Sequence, residues 1–132
     1  MPQLIHNLAE IKVTDSVAVY SKPFFVGQDI IACLVSLQPG AIVPLHVHQH
    51  HDEIFDVIEG VGIFRLGEQE ILLKPGMTVC VPANTYHGLE AKHCRWVLRE
   101  TVHQHVYARQ AIKRALQKRW SRLWHGAADS YG

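Results

Sequence analysis

His46, His48, Glu53 and His87 are the residues of this chain whose types and spacing could do chemistry. Two histidines one residue apart project from the same side of a β-strand, because strand side chains alternate faces. A carboxylate shortly after them and a third imidazole further on can close a mixed nitrogen and oxygen donor set around one divalent ion. Such a set suits Fe(II), Mn(II), Ni(II) or Zn(II), and the lack of a neighbouring thiolate separates it from Cys-rich zinc and iron-sulfur sites. His46 and His48 share a parity that Glu53 does not, so an unbroken strand would point the carboxylate away from the imidazoles. A bulge or bend among Gln49, His50, His51 and Asp52 is therefore expected, after which Glu53, Phe55 and Val57 should face one interior.

The spacing carries more information than the residue types. Gly40 is followed by five residues, then His46, Val47, His48, four residues, Glu53, six residues and Gly60. Further on stand Gly76, five residues, Pro82, Ala83, Asn84, two residues and His87. The first stretch resembles, in full, the first signature of the cupin superfamily, and the second resembles its partner motif. The chain departs from the second at Asn84, where the family usually has Gly, and at Ala91, where it often has Asn. Asn tolerates the left-handed turn that Gly adopts there, and the family does not use the second position as a ligand. The resemblance covers about residues 28–100. It implies a small single-domain bacterial-type cupin whose metal ligands are His46, His48, Glu53 and His87, with one or two coordination positions left open.

The elements that must hold these residues read as antiparallel β-structure. Ile30 to Leu37 is a β-branched run ending at Pro39-Gly40, Glu53 to Ile58 stops at Glu59-Gly60, Gly62 to Leu66 turns at Gly67-Glu68, and Glu70 to Leu73 stops at Pro75-Gly76. Further strands are expected over Met77 to Val81, Tyr86 to Glu90 and Cys94 to Thr101. Short strands at this spacing form a sandwich or barrel, and the resemblance specifies the all-β double-stranded β-helix, or jelly-roll, cupin barrel. Between about Val106 and Trp124 apolar residues recur at three- and four-residue steps opposite Lys113, Arg114, Lys118, Arg119 and Arg122, the pattern of a C-terminal amphipathic α-helix. One domain over residues 1–132 is expected, with a barrel core at about 28–101 and the helix at about 106–124.

A formal net charge of +1 does not ask for a nucleic-acid partner, and no apolar run reaches the length of a membrane span. The first twenty residues make a poor signal peptide. Cys33, Cys80 and Cys94 lack CxxC spacing and read as reduced, buried residues, which points to the cytoplasm. His50 and His51 are expected at the rim of the metal site. His103 and His105 repeat the two-apart spacing, but with only Glu100 close by they are assigned no metal. Arg65, Arg95 and Arg99 are candidate anchors for an anionic substrate or, equally, outward-facing solvated residues of their strands; Tyr86 is a candidate mouth residue, and Phe55, Val57, Trp96 and Leu98 are candidate walls or plain barrel core.

The resemblance implies an oxidoreductase of the Fe(II) dioxygenase type on a small organic molecule, with Glu53 both ligand and proton acceptor. A redox-neutral isomerase or decarboxylase using Mn(II), Zn(II) or Ni(II) is the alternative enzymatic reading, and a non-catalytic small-molecule-binding module the third. Cupins are often dimers, so a homodimer is expected.

Overall fold

The β-branched and aromatic runs of the sequence form strands with Gly or Pro at most of their ends. A computed structural model describes residues 3–108. After a short 3-10 turn at Leu8–Glu10, capped by the Asn7 side chain, nine strands follow: β1 (Val19–Val26), β2 (Ile30–Leu37), β3 (Ile42–His46), β4 (Glu53–Glu59), β5 (Gly62–Leu66), β6 (Gln69–Leu73), β7 (Thr78–Val81), β8 (His87–Ala91) and β9 (Trp96–His103). They pair antiparallel throughout, in a five-stranded sheet of order β1-β2-β9-β4-β7 and a four-stranded sheet of order β3-β8-β5-β6. This is the jelly-roll architecture implied by the resemblance.

The expected strands at β2 and β5 coincide with the observed ones, and the others shift by one or two residues at an end. The ordered barrel is longer than expected, from Val19 to His103 in place of about 28–101. Its first strand was hidden by Pro23, which has no N–H for a ladder. β1 is an edge strand whose register shifts between Pro23 and Phe25, the setting in which a sheet accommodates proline. The expected helix at about 106–124 lies almost wholly outside the described residues, within which residues 104–108 are helical. No helix among the described residues is long and apolar enough to cross a membrane.

Alternation puts the core between the sheets. In β4 Glu53, Phe55 and Val57 are buried, as expected, and in β9 Leu98, Glu100 and Val102 alternate with the less buried Arg99, Thr101 and His103. Phe55 of one sheet meets Phe64 of the other with ring centroids 5.3 Å apart. Each such fully buried side chain contributes roughly 1.5–3 kcal/mol. At Gly62 the sheets approach so closely that an added Cβ would lie 2.3 Å from Cε3 of the fully buried Trp96, so only glycine fits under that indole.

Candidate metal centre

The four candidate ligands come from three strands and the segment that joins two of them. His46 ends β3 and His87 begins β8, and the β3–β8 register sets them opposite each other. A register shift between Val43 and His46 surrounds Pro44, which cannot donate to the ladder. Residues 47–52 then belong to no strand: they cross from the four-stranded to the five-stranded sheet, where Glu53 opens β4. The parity conflict between 48 and 53 is thus resolved by a change of sheet and not by a bulge within one strand, because the chain must traverse the sandwich edge there. His48 sits in the crossing segment.

Two hydrogen bonds tie that segment to the turn before β8. The His48 carbonyl accepts the Asn84 N–H at 2.7 Å, and the Asp52 carboxylate accepts the Ala83 N–H at 2.8 Å. Asn84 has φ 65°, the left-handed conformation anticipated for it. The segments carrying His48, Glu53 and His87 are therefore held in register with one another.

One donor atom from each of His46, His48, Glu53 and His87 lies within 4.8 Å of all the others. Glu53 Oε2 is 2.7 Å from His87 Nε2 and 3.2 Å from His48 Nε2. Nδ1 of His46 donates to the Pro44 carbonyl at 2.8 Å and Nδ1 of His87 to the Thr85 carbonyl at 2.9 Å. A carbonyl only accepts, so the proton of each neutral ring is on Nδ1 and its Nε2 lone pair is bare, the usual orientation of a metal-ligating histidine.

The residues fit an ion. Both Glu53 oxygens and His87 Nε2 are buried and lack an aligned hydrogen bond despite their closeness. Acceptors facing one another at such range require a cation between them, whether a proton or a metal. Ligand distances of about 2.0–2.2 Å place neighbouring donor atoms roughly 3 Å apart, close to the separations observed. Burial lowers the His46 pKa from 6.5 to about 4, opposed by the Pro44 carbonyl and reinforced by His87, so this ring stays neutral and available. Burial would raise the Glu53 carboxyl, but His48, His87 and the neighbouring Glu100 outweigh it and hold Glu53 below the ordinary carboxylate range.

Glu53 and His87 are buried whereas His46 and His48 are partly exposed, so the centre faces solvent on the His46 and His48 side. Phe64 stacks parallel to the His87 ring at 6.2 Å and Phe55 lies 6.1 Å from it, closing the inner side. Phe55, Val57, Trp96 and Leu98 are buried core, and Tyr86 is exposed. The three arginines do not serve as anchors in the barrel: Arg65 pairs with Glu70 and Glu90, Arg95 with Asp15 and Glu59, and Arg99 with Asp56. Arg65 in β5 and Arg99 in β9, and Arg95 just before β9, are thus held among surface carboxylates. Cys33 is buried as expected, but Cys80 and Cys94 are exposed, Cys80 because it occupies an outward position of β7.

Two features escaped the sequence reading. Glu100 is a second buried carboxyl group inside the barrel, beside Glu53. Its signal was its place between Leu98 and Val102 on the inward parity of β9. The other is His51, which groups with His103 and His105 away from the centre.

Residues 33–98 match a family described as the Cupin domain. Among solved structures, the chain is similar to TT1209 from Thermus thermophilus, with 28% identity, 75% of this chain and 95% of that chain covered, and a TM-score of 0.70. It is also similar to KdgF from a Halomonas species, with 24% identity, coverage of 76% and 93%, and a TM-score of 0.67. A predicted oxalate decarboxylase from Thermotoga maritima shares 22% identity over 55% of this chain and 64% of that chain, with a TM-score of 0.54. The last two likenesses establish a common fold. No curated protein sequence matches the chain.

Proposed function

Since the chain belongs to the Cupin domain family, whose match spans half of its 132 residues, we propose that it is a mononuclear metal-dependent enzyme acting on a small organic molecule. The ligands are His46, His48, Glu53 and His87, and oxygenation with Fe(II) is the leading chemistry. The observation that carries this reading is the buried, unaligned approach of Glu53 Oε2 to His87 Nε2, which a divalent ion satisfies. When bound, such an ion supplies Lewis-acid polarisation of a substrate oxygen and, as iron, redox chemistry with O₂.

The chain's own residues do the rest. His46 and His87 present fixed Nε2 lone pairs because backbone carbonyls hold their Nδ1 protons. Glu53 balances part of the ionic charge, and a carboxylate oxygen not engaged in ligation accepts a substrate proton. Phe55 and Phe64 keep water from the inner side, so a substrate enters past His46 and His48 and meets the site from one direction. Glu100 favours the second reading, a redox-neutral isomerase or decarboxylase, since a second carboxyl beside Glu53 gives a proton somewhere to go. KdgF and the Thermotoga protein described as a predicted oxalate decarboxylase are fold relatives in keeping with that breadth.

The exposed thiols Cys80 and Cys94 suit a reducing cytoplasm. Phe25 and Val26 on the edge strand β1, with Ile30 at the start of β2, are exposed and suit pairing of two chains as a homodimer.

Metal analysis of anaerobically purified protein, followed by O₂ uptake against small acids and diketones, tests the reading. Iron with substrate-dependent uptake supports oxygenation. Tightly held zinc or manganese with turnover but no uptake supports the redox-neutral enzyme. Metal content unchanged in His48→Ala sinks the ligand assignment.

A further inference from the structure

A second cluster of imidazoles lies on the outer side of the sheet that carries Glu53. Inward positions of β9 hold Leu98, Glu100 and Val102, so His103 at the strand end points outward. His51 approaches it from the crossing segment between β3 and β4, and His105 from the helical residues 104–108. One ring nitrogen from each of the three lies within 4.8 Å of the others. The His51 and His103 rings stack at 4.2 Å with 8° between their planes, and the His103 and His105 centroids are 4.9 Å apart.

We propose that His51, His103 and His105 form a second divalent-metal site that takes Zn(II), Ni(II) or Cu(II). The chemistry differs from that of the barrel centre. The group contains no carboxylate, and an all-imidazole set suits these later transition ions while offering little to Mg(II) or Ca(II). His103 Nδ1 accepts the His105 backbone N–H at 3.1 Å, so that nitrogen already carries the lone pair. Its surroundings are exposed enough for water to replace the displaced backbone bond. Nitrogens around one tetrahedral ion stand roughly 3.3 Å apart for bonds of about 2.0–2.1 Å. The observed spacing therefore closes with small rotations of partly exposed rings, including a tilt of the stacked pair. Three protein ligands leave a position for water or an external donor.

An ion there ties the crossing segment, and with it His48 and Glu53, to the end of β9 and the start of the helical residues. The two groups share no residue, so they are separable by mutation.

Ion-free, untagged full-length chain titrated with Zn(II) by calorimetry, with bound metal counted by native mass spectrometry, decides the matter. Wild type is expected to bind two equivalents and His48→Ala one. His103→Ala should also bind one equivalent, and His105→Ala should repeat that result at an exposed position beyond the last strand, so a folding defect in one variant does not decide the outcome. The double variant His48→Ala/His103→Ala should bind none. His103→Ala and His105→Ala variants that both bind as much Zn(II) as the wild type overturn the proposal. Loss of the second equivalent in those variants while His48→Ala keeps one upholds it whatever the barrel centre catalyses.

Discussion

Glu53→Gln separates a metal centre from a buried ion pair, because the two predict opposite signs in ion-free protein. With the Nδ1 proton of His87 committed to the Thr85 carbonyl, its Nε2 faces Glu53 Oε2 at 2.7 Å. An amide has the shape of the carboxylate, and its NH₂ can donate to that Nε2. One net hydrogen bond in place of a buried, unaligned charge is worth about 0.5–1.5 kcal/mol. With an unfolding entropy of about 2.1 cal/mol/K per residue, each kcal/mol moves the midpoint of a chain this long by about 3–4 °C, so ion-free Glu53→Gln should melt about 2–5 °C above wild type. Were a proton to bridge the pair as a salt bridge, breaking it would cost about 3–5 kcal/mol, a fall of about 10–18 °C. Metal reverses the order. At about a hundred times its Kd an ion stabilises wild type by about 2.7 kcal/mol, or about 10 °C, whereas the neutral amide, a poorer donor, gains less. Scanning fluorimetry of chelator-treated protein with and without Mn(II) or Zn(II) reads both arms. A lower midpoint for the ion-free variant, or equal metal-induced shifts in the two proteins, refutes the reasoning.

Acid should weaken the ion-free fold through His46. Burial holds His46 near 4 against 6.5 unfolded, so above pH 6.5 it has no effect, and between 6.5 and 4 the unfolded chain takes a proton that the folded one refuses. The full span is a ceiling of about 3 kcal/mol, nearer 1–2 after solvent screening of a partly exposed ring. Urea midpoints that stay level from pH 8 to 5 contradict this. Gly62→Ala forces a methyl against Trp96 and should cost about 1–3 kcal/mol, seen as a midpoint about 4–11 °C lower with metal content unchanged; a neutral result would mean that the indole moves freely. Sedimentation velocity at micromolar concentration should show a dimer, and monomer alone counts against the pairing of β1 edges.

The barrel was legible where apolar, β-rich runs and turn residues agree, as in β2 and β5. It was illegible where local chemistry contradicted the fold, as at Pro23, whose missing donor matters little on an edge strand. At the centre the residue spacing named all four side chains that the fold brings together, and parity located the break between His48 and Glu53. What parity could not supply was the nature of the break, since a bulge and a change of sheet both reset the face that a side chain presents. The arginines were left between an inward and an outward face, and Cys80 was misplaced, because a strand's period says which residues share a face but not which face is the inner one when both carry mixed residues. His51 joined His103 only through the path of residues 47–52, a three-dimensional fact with no periodic signature.

His46 and His87 belong to one sheet and Glu53 to the other. An ion held by all three is a rivet through both layers of the sandwich, and the width it must span is set by the hydrocarbon between them. Phe55 against Phe64 and Trp96 over Gly62 act as shims for that gap. On the proposed reading, selectivity among ions of different radius would then depend partly on core side chains that never touch the metal, and trading one aromatic ring for a smaller residue would retune the metal preference from within.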